Sequence, residues 1–349
     1  MRIAFLTSTP QSIDAGSGTY VGIATLAAAI RHRGIEVDIV APRVRWPAYT
    51  LQRRWFNERL RWRDWSGYNA LVGFDLDGFR LPVPHVASIK GVIADEAGHE
   101  TGLVRRLLHL QAEWEHQNVH RAARVITTSL YAARRIQQLY TLPETPCVVP
   151  ELIDLDAWRD VFESVDAAPD PARFAVLSVG RFYPRKRIDV LLEAARRVED
   201  HIPGFELRVV GDGPQNRRLR ALAPRSATFL GTVSRRALAA EYKRCDVFCL
   251  PSVQEGFGIV LLEAMAAGRA IVAAASSAVP EVAPHALLVS PGDAESLAEA
   301  LFLAWRDPAL RHTIARAGSE RVRVYDAPIV AAQFLEALAL TGIHHAAFR

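Results

Sequence analysis

The segment EGFGIVLLEAMAAG, at residues 255–268, contains two glutamates with seven residues between them. Glu255 lies in a glycine-flanked loop, and Glu263 lies about one turn inside a helix predicted to begin near Gly258. Glycines let the backbone approach a ligand closely, and the free N–H groups of a helix N-terminus attract an anion. Carboxylates accept hydrogen bonds from hydroxyl groups, so these two suit a sugar and a ribose. Either glutamate alone would be an ordinary solvated charge at a helix start, but the whole segment favours a binding site.

A basic segment, SVGRFYPRKR at residues 178–187, lies between a predicted strand and a predicted helix. Arg181 and Lys186 flank a turn around Pro184, so both side chains can converge on one anion at the carboxyl end of the strand. Arginine presents a planar fork to phosphate oxygens, and lysine presents a compact charge. Basic residues at a helix N-terminus oppose the helix dipole. A bound diphosphate would explain them, and a solvated basic cluster is the alternative.

A glycine-rich segment, AGSGTYVG at residues 15–22, opens the first predicted helix. Its spacing from Gly16 and Gly18 is G-x-G-x-x-x-G, which is not the dinucleotide fingerprint. The second predicted strand also ends without an acid that would bind a ribose hydroxyl. Both departures disfavour an NAD-dependent oxidoreductase. We expect this loop to approach a phosphate or a sugar.

Short apolar runs alternate with longer helical patterns along the chain, which predicts doubly wound parallel α/β sheets. The alternation stops at residues 163–172, where two prolines, three acids and no apolar periodicity indicate a linker, and it then restarts. We predict two Rossmann-like domains facing a central cleft, with the ligand at the carboxyl ends of the strands. The predicted parts are a first domain at 1–164, a second domain at 165–326, and a C-terminal segment at 327–349.

The composition excludes several classes of protein. The chain has 349 residues, of which 50% are hydrophobic and 23% charged, and the formal net charge of +4 is too small for a nucleic-acid binder. Three cysteines do not make a disulfide framework, and no apolar run reaches the roughly 18 residues that span a bilayer. Lysine occurs only at positions 90, 186 and 243, a bias typical of a GC-rich bacterial genome. We expect a cytoplasmic protein, or one that rests on the inner face of a membrane.

The three segments resemble the retaining nucleotide-sugar glycosyltransferases of family four, which have the GT-B fold. The matching stretches are residues 211–214, 229–231, 246–252, 255–268 and 280–282, with thinner likeness at 16–20, 125–129 and 149–154. The resemblance implies that Arg181, Lys186 and Glu255 are catalytic, that Glu255 holds donor-sugar hydroxyls, and that Glu263 holds the ribose. It further implies that residues 1–164 form the acceptor-side domain, that residues 165–326 bind the nucleotide sugar, and that residues 327–349 contain a helix that crosses back to the first domain. The implied donor-binding residues are Gly16, Gly18, Gly180, Asp212, Gly213, Gly256, Phe257, Gly258, Ile259, Val260 and Glu263.

The first domain departs from the family at one position. Many members carry a histidine just after a first-domain strand, near the reacting sugar, and this sequence has Lys90 there. Lys90, Asp95, Glu96 or His99 would then serve the sugar or acceptor side. Alternatively the acceptor is handled differently, and Asp95 and Glu96 are ordinary acids at a helix start.

The predicted reaction is transfer of a sugar from a nucleoside-diphosphate sugar to an unidentified hydroxyl on a small molecule, a glycan or a lipid. The family mechanism lets the departing diphosphate take the acceptor proton, while Arg181, Lys186 and the helix N-terminus stabilise its charge. A nucleotide-sugar epimerase or hydrolase on the same scaffold is the alternative. We expect no cofactor and no metal, although Asp75 and Asp77 resemble a D-x-D metal motif by chance.

Residues 43–65 hold four of the seven tryptophans and seven arginines against two acids. Helical spacing places Leu51, Trp55, Trp62 and Trp65 near one face. Such a face predicts peripheral contact with an anionic membrane or a wall of the acceptor site. Packing within the first domain is the alternative.

Overall fold

The computed structural model describes residues 1–10, 18–44 and 46–339. Within them the chain forms two six-stranded sheets with helices on their faces. The strands are β1 (Arg2–Leu6), β2 (Glu36–Val40), β3 (Ala70–Phe74), β4 (Val86–Ile89), β5 (Arg124–Thr127), β6 (Cys147–Val148), β7 (Phe174–Val179), β8 (Phe205–Val210), β9 (Ala227–Gly231), β10 (Val247–Leu250), β11 (Ala270–Ala274) and β12 (Leu287–Val289). The helices are α1 (Gly18–Arg31), α2 (Tyr49–Leu60), α3 (Ile93–Ala97), α4 (Gly102–Arg121), α5 (Leu130–Leu139), α6 (Leu155–Glu163), α7 (Ile188–Val198), α8 (Asn216–Ala221), α9 (Arg235–Arg244), α10 (Ile259–Ala266), α11 (Val279–Val282), α12 (Ala294–Arg306), α13 (Pro308–Arg321) and α14 (Ala327–Ala339).

Both sheets are parallel throughout. The strand order is β2-β1-β3-β4-β5-β6 in the first sheet and β12-β11-β10-β7-β8-β9 in the second. The strands β3, β4, β10 and β11 are buried at every residue, as expected where helices cover both faces of a sheet. The predicted pair of doubly wound α/β sheets is therefore confirmed. In each sheet the carboxyl ends of the strands share one edge, where such folds bind ligands.

The chain divides into two compact units, the first of which contains both termini of the described chain. This unit comprises residues 1–152 and the segment that begins at Ala327. Helix α14 packs against α1, and its Val330 and Phe334 lie in the same apolar core as Phe5 of β1. The rings of Phe5 and Phe334 meet edge to face, with their centroids 6.0 Å apart. The last described helix is thus part of the first unit.

The second unit, Ile153–Asp326, begins earlier in the chain than the sequence pattern predicts. Helix α6 packs on α9, within this unit. The ammonium of Lys243 in α9 donates to the carbonyl oxygens of Phe162 and Val165, at 3.0 and 2.7 Å. These contacts hold the predicted linker against the second unit, so the boundary lies between residues 152 and 153. The sequence does not reveal it, because the groups that fix this segment lie about 80 residues further along the chain.

Candidate active site

The predicted donor-binding segments lie together at the carboxyl edge of the second sheet. Residues 180–187 follow β7, residues 211–213 follow β8, and residues 251–258 follow β10. Because β7 lies between β10 and β8, the three loops are neighbours. The structure therefore brings together segments that are up to about 70 residues apart in the sequence.

The loops after β7 and β8 touch through glycines. Gly211 has φ +128°, and a β-carbon at this position would overlap the carbonyl oxygen of Gly180. A β-carbon at Gly213 would lie 2.6 Å from the backbone nitrogen of Phe182. The N–H of Phe182 donates to the carbonyl oxygen of Asp212 at 3.1 Å. Only glycine permits this approach, which fixes the basic loop against the loop after β8.

The side chain of Asp212 is tied to its own loop. Its carboxylate accepts hydrogen bonds from Asn216, at 2.6 Å, and from the N–H of Gly213, at 2.7 Å. These bonds hold the pKa of Asp212 below its ordinary value. Beside it, no described atom lies within 4 Å of the place that a β-carbon on Gly180 would take. This edge of the loop is therefore open to a ligand.

Lys186 and Glu255, to which the sequence assigns separate tasks, form an ion pair. The Nζ of Lys186 lies 2.5 Å from Oε1 of Glu255, and both side chains are largely buried. The N–H of Val253 donates to the carbonyl oxygen of Arg185 at 2.9 Å, which joins the loop after β10 to the basic turn. Burial raises the pKa of Glu255, but the charges of Lys186 and Arg185 outweigh it and hold the pKa below its ordinary value. Glu255 is therefore an anion across the neutral range.

The basic loop carries four cations, Arg181, Arg185, Lys186 and Arg187, and the sequence predicts a role only for Arg181 and Lys186. Arg187 pairs with Asp189 at 3.1 Å. The guanidinium groups of Arg181 and Arg185 lie 5.8 and 5.1 Å from the ring centroid of Tyr183. Within the described residues, the buried Nε of Arg181 and the buried hydroxyl of Ser178, at the end of β7, have no hydrogen-bond partner. Buried polar groups are nearly always satisfied, so these atoms indicate a site built for a polar ligand.

Glu263 has a different environment, in the second turn of α10. The hydroxyl of Tyr242, a buried residue of α9, donates to its Oε2 at 2.9 Å. Burial raises the pKa of Glu263 to about 7, against the lowering effects of the Tyr242 hydrogen bond and the charge of Arg235. Tyr242 could not be predicted from the sequence, because a single tyrosine inside a helix matches no motif.

Helix α10 begins next to Gly258, as the sequence predicts. Gly258 caps the helix with φ +91°, and Ile259 and Val260 form the first turn. The first N–H groups of a helix have no partner within it and carry the positive end of its dipole. Phe257 is buried and meets Tyr325 edge to face, at 5.4 Å between ring centroids. The ring of Phe257 therefore packs inside the second unit.

In the first unit, Lys90 follows β4 and is half of a buried ion pair. Its Nζ lies 3.1 Å from Oε2 of Glu151, which follows β6. The backbone N–H of Lys90 donates to Asp75 at 2.8 Å. The structure thus places a charge pair at the carboxyl edge of the first sheet. Lys90 is predicted from the sequence. Its partner Glu151 is not, because it lies 61 residues further along the chain.

The neighbouring acids of α3 are not equivalent. The carboxylate of Asp95 accepts hydrogen bonds from Nε of Arg135, at 2.8 Å, and from the hydroxyl of Tyr131, at 2.7 Å. A carboxylate held in this way is typical of a structural ion pair. Glu96, in the same helix, and His99, just after it, are half-buried.

Asp75 and Asp77 serve the fold. Asp77 accepts hydrogen bonds from the N–H of Ser8, at 2.5 Å, and from Asn57, at 2.8 Å. Asp75 has φ +54°, and burial raises its pKa to about 6. Within residues 1–10, 18–44 and 46–339, no group of three or more His, Cys, Asp or Glu side chains is arranged to hold a metal ion.

The glycine-rich segment is described only in part. Gly16 lies outside the described residues. Gly18 is the first residue of α1, and no described atom lies within 4 Å of the place that its β-carbon would take. The contact of this segment with a phosphate or a sugar stays a prediction.

The prediction that Leu51, Trp55, Trp62 and Trp65 lie near one helical face is wrong for Trp65. Trp65 is buried, and its Nε1 donates to the carbonyl oxygen of Leu60 at 3.0 Å. Helix α2 ends at Leu60, and the chain turns there, so helical spacing does not continue to Trp65. Trp62 is 83% exposed, just beyond the end of the helix. Among the described helices, none has both the length and the apolarity needed to cross a bilayer.

The chain is similar to known proteins in sequence and in fold. Residues 173–307 match the family described as "Glycosyl transferases group 1". The phosphatidyl-myo-inositol mannosyltransferase of Mycobacterium leprae is 30% identical over 98% of both chains. The sucrose-phosphate synthase of Thermosynechococcus elongatus has a similar fold, with a TM-score of 0.79 at 22% identity over 97% of this chain and 98% of that one. Anabaena HepE, solved with UDP and glucose, gives a TM-score of 0.70 at 18% identity over 97% and 99%.

Proposed function

Because this chain belongs to the group 1 glycosyl transferases, we propose that it moves a sugar from a nucleoside-diphosphate donor to a hydroxyl acceptor. We further propose that the anomeric configuration is retained and that neither a metal ion nor a cofactor takes part. The observation that carries the proposal is the Lys186–Glu255 ion pair between the basic loop and the N-terminus of α10. HepE, which shares the fold, was solved with UDP and glucose, and this favours a nucleoside diphosphate as the leaving group.

Lys186 can bind Glu255 and a phosphate of the donor at the same time. An ammonium group has three N–H donors, so Lys186 can keep Glu255 while it binds a phosphate oxygen of the donor. The second oxygen of Glu255 is then available to a hydroxyl of the sugar. In this arrangement one lysine fixes the distance between the sugar and the diphosphate, which positions the bond that breaks.

The reaction breaks the bond between the anomeric carbon and the diphosphate oxygen. The acceptor oxygen forms its bond to the same carbon from the same face, and its proton passes to the departing diphosphate. Arg181, Arg185, Lys186 and the N-terminus of α10 stabilise the charge that develops on the leaving group, and such stabilisation is often the largest single contribution to catalysis. The protein therefore needs no strong base of its own.

The remaining contacts are assigned by the same reasoning. We propose that Glu263 binds the ribose. The phosphates and the sugar are expected to contact backbone at four glycines and the side chains or backbone beside them: Gly180, Gly213, Gly256 and Gly258, with Asp212, Phe257, Ile259 and Val260. Gly16 and Gly18 of the glycine-rich segment are proposed donor-binding residues as well. On the sugar or acceptor side we place Lys90, oriented by Glu151, together with Glu96 and His99. Asp95 is the weakest member of that group, because Arg135 and Tyr131 already occupy it. We propose that the protein is cytoplasmic and touches the membrane peripherally.

The test begins with a screen of UDP-, GDP- and ADP-sugars, since a true donor raises the melting temperature by mass action. With that donor, Lys186→Ala and Glu255→Ala should lower turnover by orders of magnitude. Arg217→Ala, which alters an exposed arginine of the same unit, should leave turnover unchanged. Wild-type rates in folded Lys186→Ala protein would refute the site. Product analysis without acceptor tests the epimerase or hydrolase alternative, which predicts an altered or hydrolysed sugar.

A further inference from the structure

The first half of α4 carries apolar side chains that no described part of the protein covers. Leu103 is 70% exposed and Val104 52%, and Leu107 and Leu110 are also exposed. Every residue from 101 to 107 is exposed, whereas the helix is largely buried from Gln111 onward. About two turns of this helix therefore project from the first unit. Four uncovered apolar side chains on one projecting segment mark an interaction surface.

The start of α2 lies beside this projection. The amide of Gln111 donates to the hydroxyl of Thr50 at 3.1 Å and accepts from the guanidinium of Arg53 at 3.0 Å. Thr50 and Arg53 belong to the first turns of α2, where Leu51 is 62% exposed and Trp55 is also exposed. The ring of Trp55 lies 5.2 Å from that of Trp46, which is exposed too. We call the exposed surface formed by residues 43–44, 46–55 and 102–110 the α2–α4 tip.

The tip is strongly basic as well as apolar. Its exposed arginines are Arg43, Arg54, Arg105 and Arg106. No acidic residue occurs in the three segments that form it. Apolar side chains set among arginines and free of acids suit an anionic bilayer, because the rings and aliphatic chains enter the interface while the guanidinium groups meet lipid phosphates. A second copy of the same basic tip would be repelled by its charge.

The tip also has a definite place in the fold. Helix α2 begins after β2, and α4 begins after β4, so both helix starts lie at the carboxyl edge of the first sheet. Ligands of parallel α/β sheets bind at that edge. A surface held against a bilayer there would bring lipid head groups to the ligand-binding edge of the first unit.

We propose that the α2–α4 tip binds an anionic lipid bilayer and that the acceptor hydroxyl belongs to a lipid head group. The second half of this statement rests on the glycosyltransferase function proposed above. The first half does not, and it is tested separately.

The bilayer is tested by co-sedimentation of the full chain with vesicles of phosphatidylcholine alone or of phosphatidylcholine mixed with phosphatidylglycerol. We expect binding to the mixed vesicles to be stronger by about tenfold or more, and to weaken in about 1 M salt, where the Debye length falls to about 3 Å. Leu103→Ser/Val104→Ser should lower the partition coefficient about tenfold, and Arg105→Glu/Arg106→Glu should abolish the preference for anionic lipid.

Two matched variants serve as controls because they alter exposed apolar residues outside the tip. Trp62→Ser changes a residue that is 83% exposed beyond the other end of α2, and Leu303→Ser changes one that is 45% exposed in the second unit. Both should bind vesicles like the wild type. Equal binding by Leu103→Ser/Val104→Ser and the controls would overturn the proposal. The proposal would also be overturned if sedimentation showed that the wild type is a dimer and Leu103→Ser/Val104→Ser a monomer, while both bind vesicles equally.

The lipid acceptor is tested by supplying intact anionic vesicles, or the water-soluble head groups obtained by deacylating the same lipids. We expect transfer to the intact lipid, a loss of about tenfold in Leu103→Ser/Val104→Ser, and unchanged nucleotide binding in the same samples. Equal transfer to the deacylated head groups by both proteins would overturn the lipid acceptor. Binding of anionic vesicles without binding of any nucleotide would refute the proposed function while supporting the bilayer surface.

Discussion

Substitution of Tyr242 by phenylalanine removes one hydroxyl from beneath the proposed ribose site and little else. The ring of Tyr242 is held by Phe248 and Trp158, at centroid distances of 5.7 and 6.2 Å, and phenylalanine keeps both contacts. The hydroxyl that is lost donates a hydrogen bond to Oε2 of Glu263 at 2.9 Å. The substitution therefore changes the electrostatics of Glu263 with little change in packing.

The size of the effect follows from the pKa of Glu263. Burial raises this pKa to about 7, and the hydrogen bond from Tyr242 opposes the rise. A hydrogen bond to a charged group contributes about 1.5–3 kcal/mol, which corresponds to about one or two pKa units. At the lower end of this range, the pKa of Glu263 should rise by about one unit in Tyr242→Phe. Arg235, the other group that lowers the pKa, is unchanged and limits the shift.

Donor binding should follow this titration, because only the ionised carboxylate accepts both ribose hydroxyls. At neutral pH about half of the wild-type Glu263 is ionised, against about a tenth in Tyr242→Phe, so nucleotide affinity should fall about fivefold. At about pH 9 both proteins should bind nearly alike, since the wild-type carboxyl is then fully ionised and most of the variant's is. The loss is thus confined to one side of a pH profile.

The assay is calorimetric titration with the nucleoside diphosphate of the identified donor, between about pH 6 and 9. Comparison at each pH cancels the titration of the phosphate itself. Trp158→Phe is the packing control, since it alters a ring against Tyr242 and leaves the hydroxyl in place; its pH midpoint should not move. The reasoning fails if Tyr242→Phe binds more weakly by the same factor at every pH, because that result indicates a purely structural role.

Three further perturbations test other parts of the structure. Lys186→Met leaves the buried carboxylate of Glu255 without its cation and should cost about 3 kcal/mol of unfolding free energy by denaturant titration, most of which Lys186→Met/Glu255→Gln should restore. Gly211 has φ +128°, and Gly211→Ala would press a β-carbon against the carbonyl oxygen of Gly180. We therefore expect the free energy of unfolding to fall by about 2 kcal/mol or more and donor binding to weaken. Asp75 has a pKa of about 6 when folded, above its ordinary 3.8, so the folded state holds an extra proton in this window and stability should fall as pH rises through it. Asp75→Asn should remove that part of the pH dependence of urea unfolding.

The fold was predictable because several buried parallel strands are mostly apolar runs. Residues 247–250 are such a run, residues 174–179 are one that only Ser178 interrupts, and the structure contains strands with these bounds, β10 and β7. The start of the second unit was not predictable, because a lysine of α9 holds the polar segment that resembles a linker. Local composition reports what a segment could be in isolation, whereas a tertiary contact decides which unit it joins.

The same limit applies to the candidate site. Glycine and charge spacing identified the loops, because backbone conformation and helix capping are local properties. Glu151 and Tyr242 were missed because each acts on a side chain distant in sequence, and neither neighbourhood carries a pattern. Arg185 was visible within the basic segment, but its effect on the pKa of Glu255 depends on the fold, which brings the loop after β10 to the basic turn.

The two glutamates of the most informative segment are chemically identical and have only seven residues between them, yet the structure gives them opposite electrostatics. Glu255 faces cations that hold its pKa low, whereas burial raises the pKa of Glu263 to about 7 and Tyr242 only partly opposes this. As the pH falls from neutral, the proposed contact of Glu263 with the ribose should therefore weaken before the proposed contact of Glu255 with the sugar. Glu263→Gln, which cannot titrate, should bind donor weakly but with little dependence on pH in this range. A pH dependence that persists in Glu263→Gln would place the titrating group elsewhere in the site.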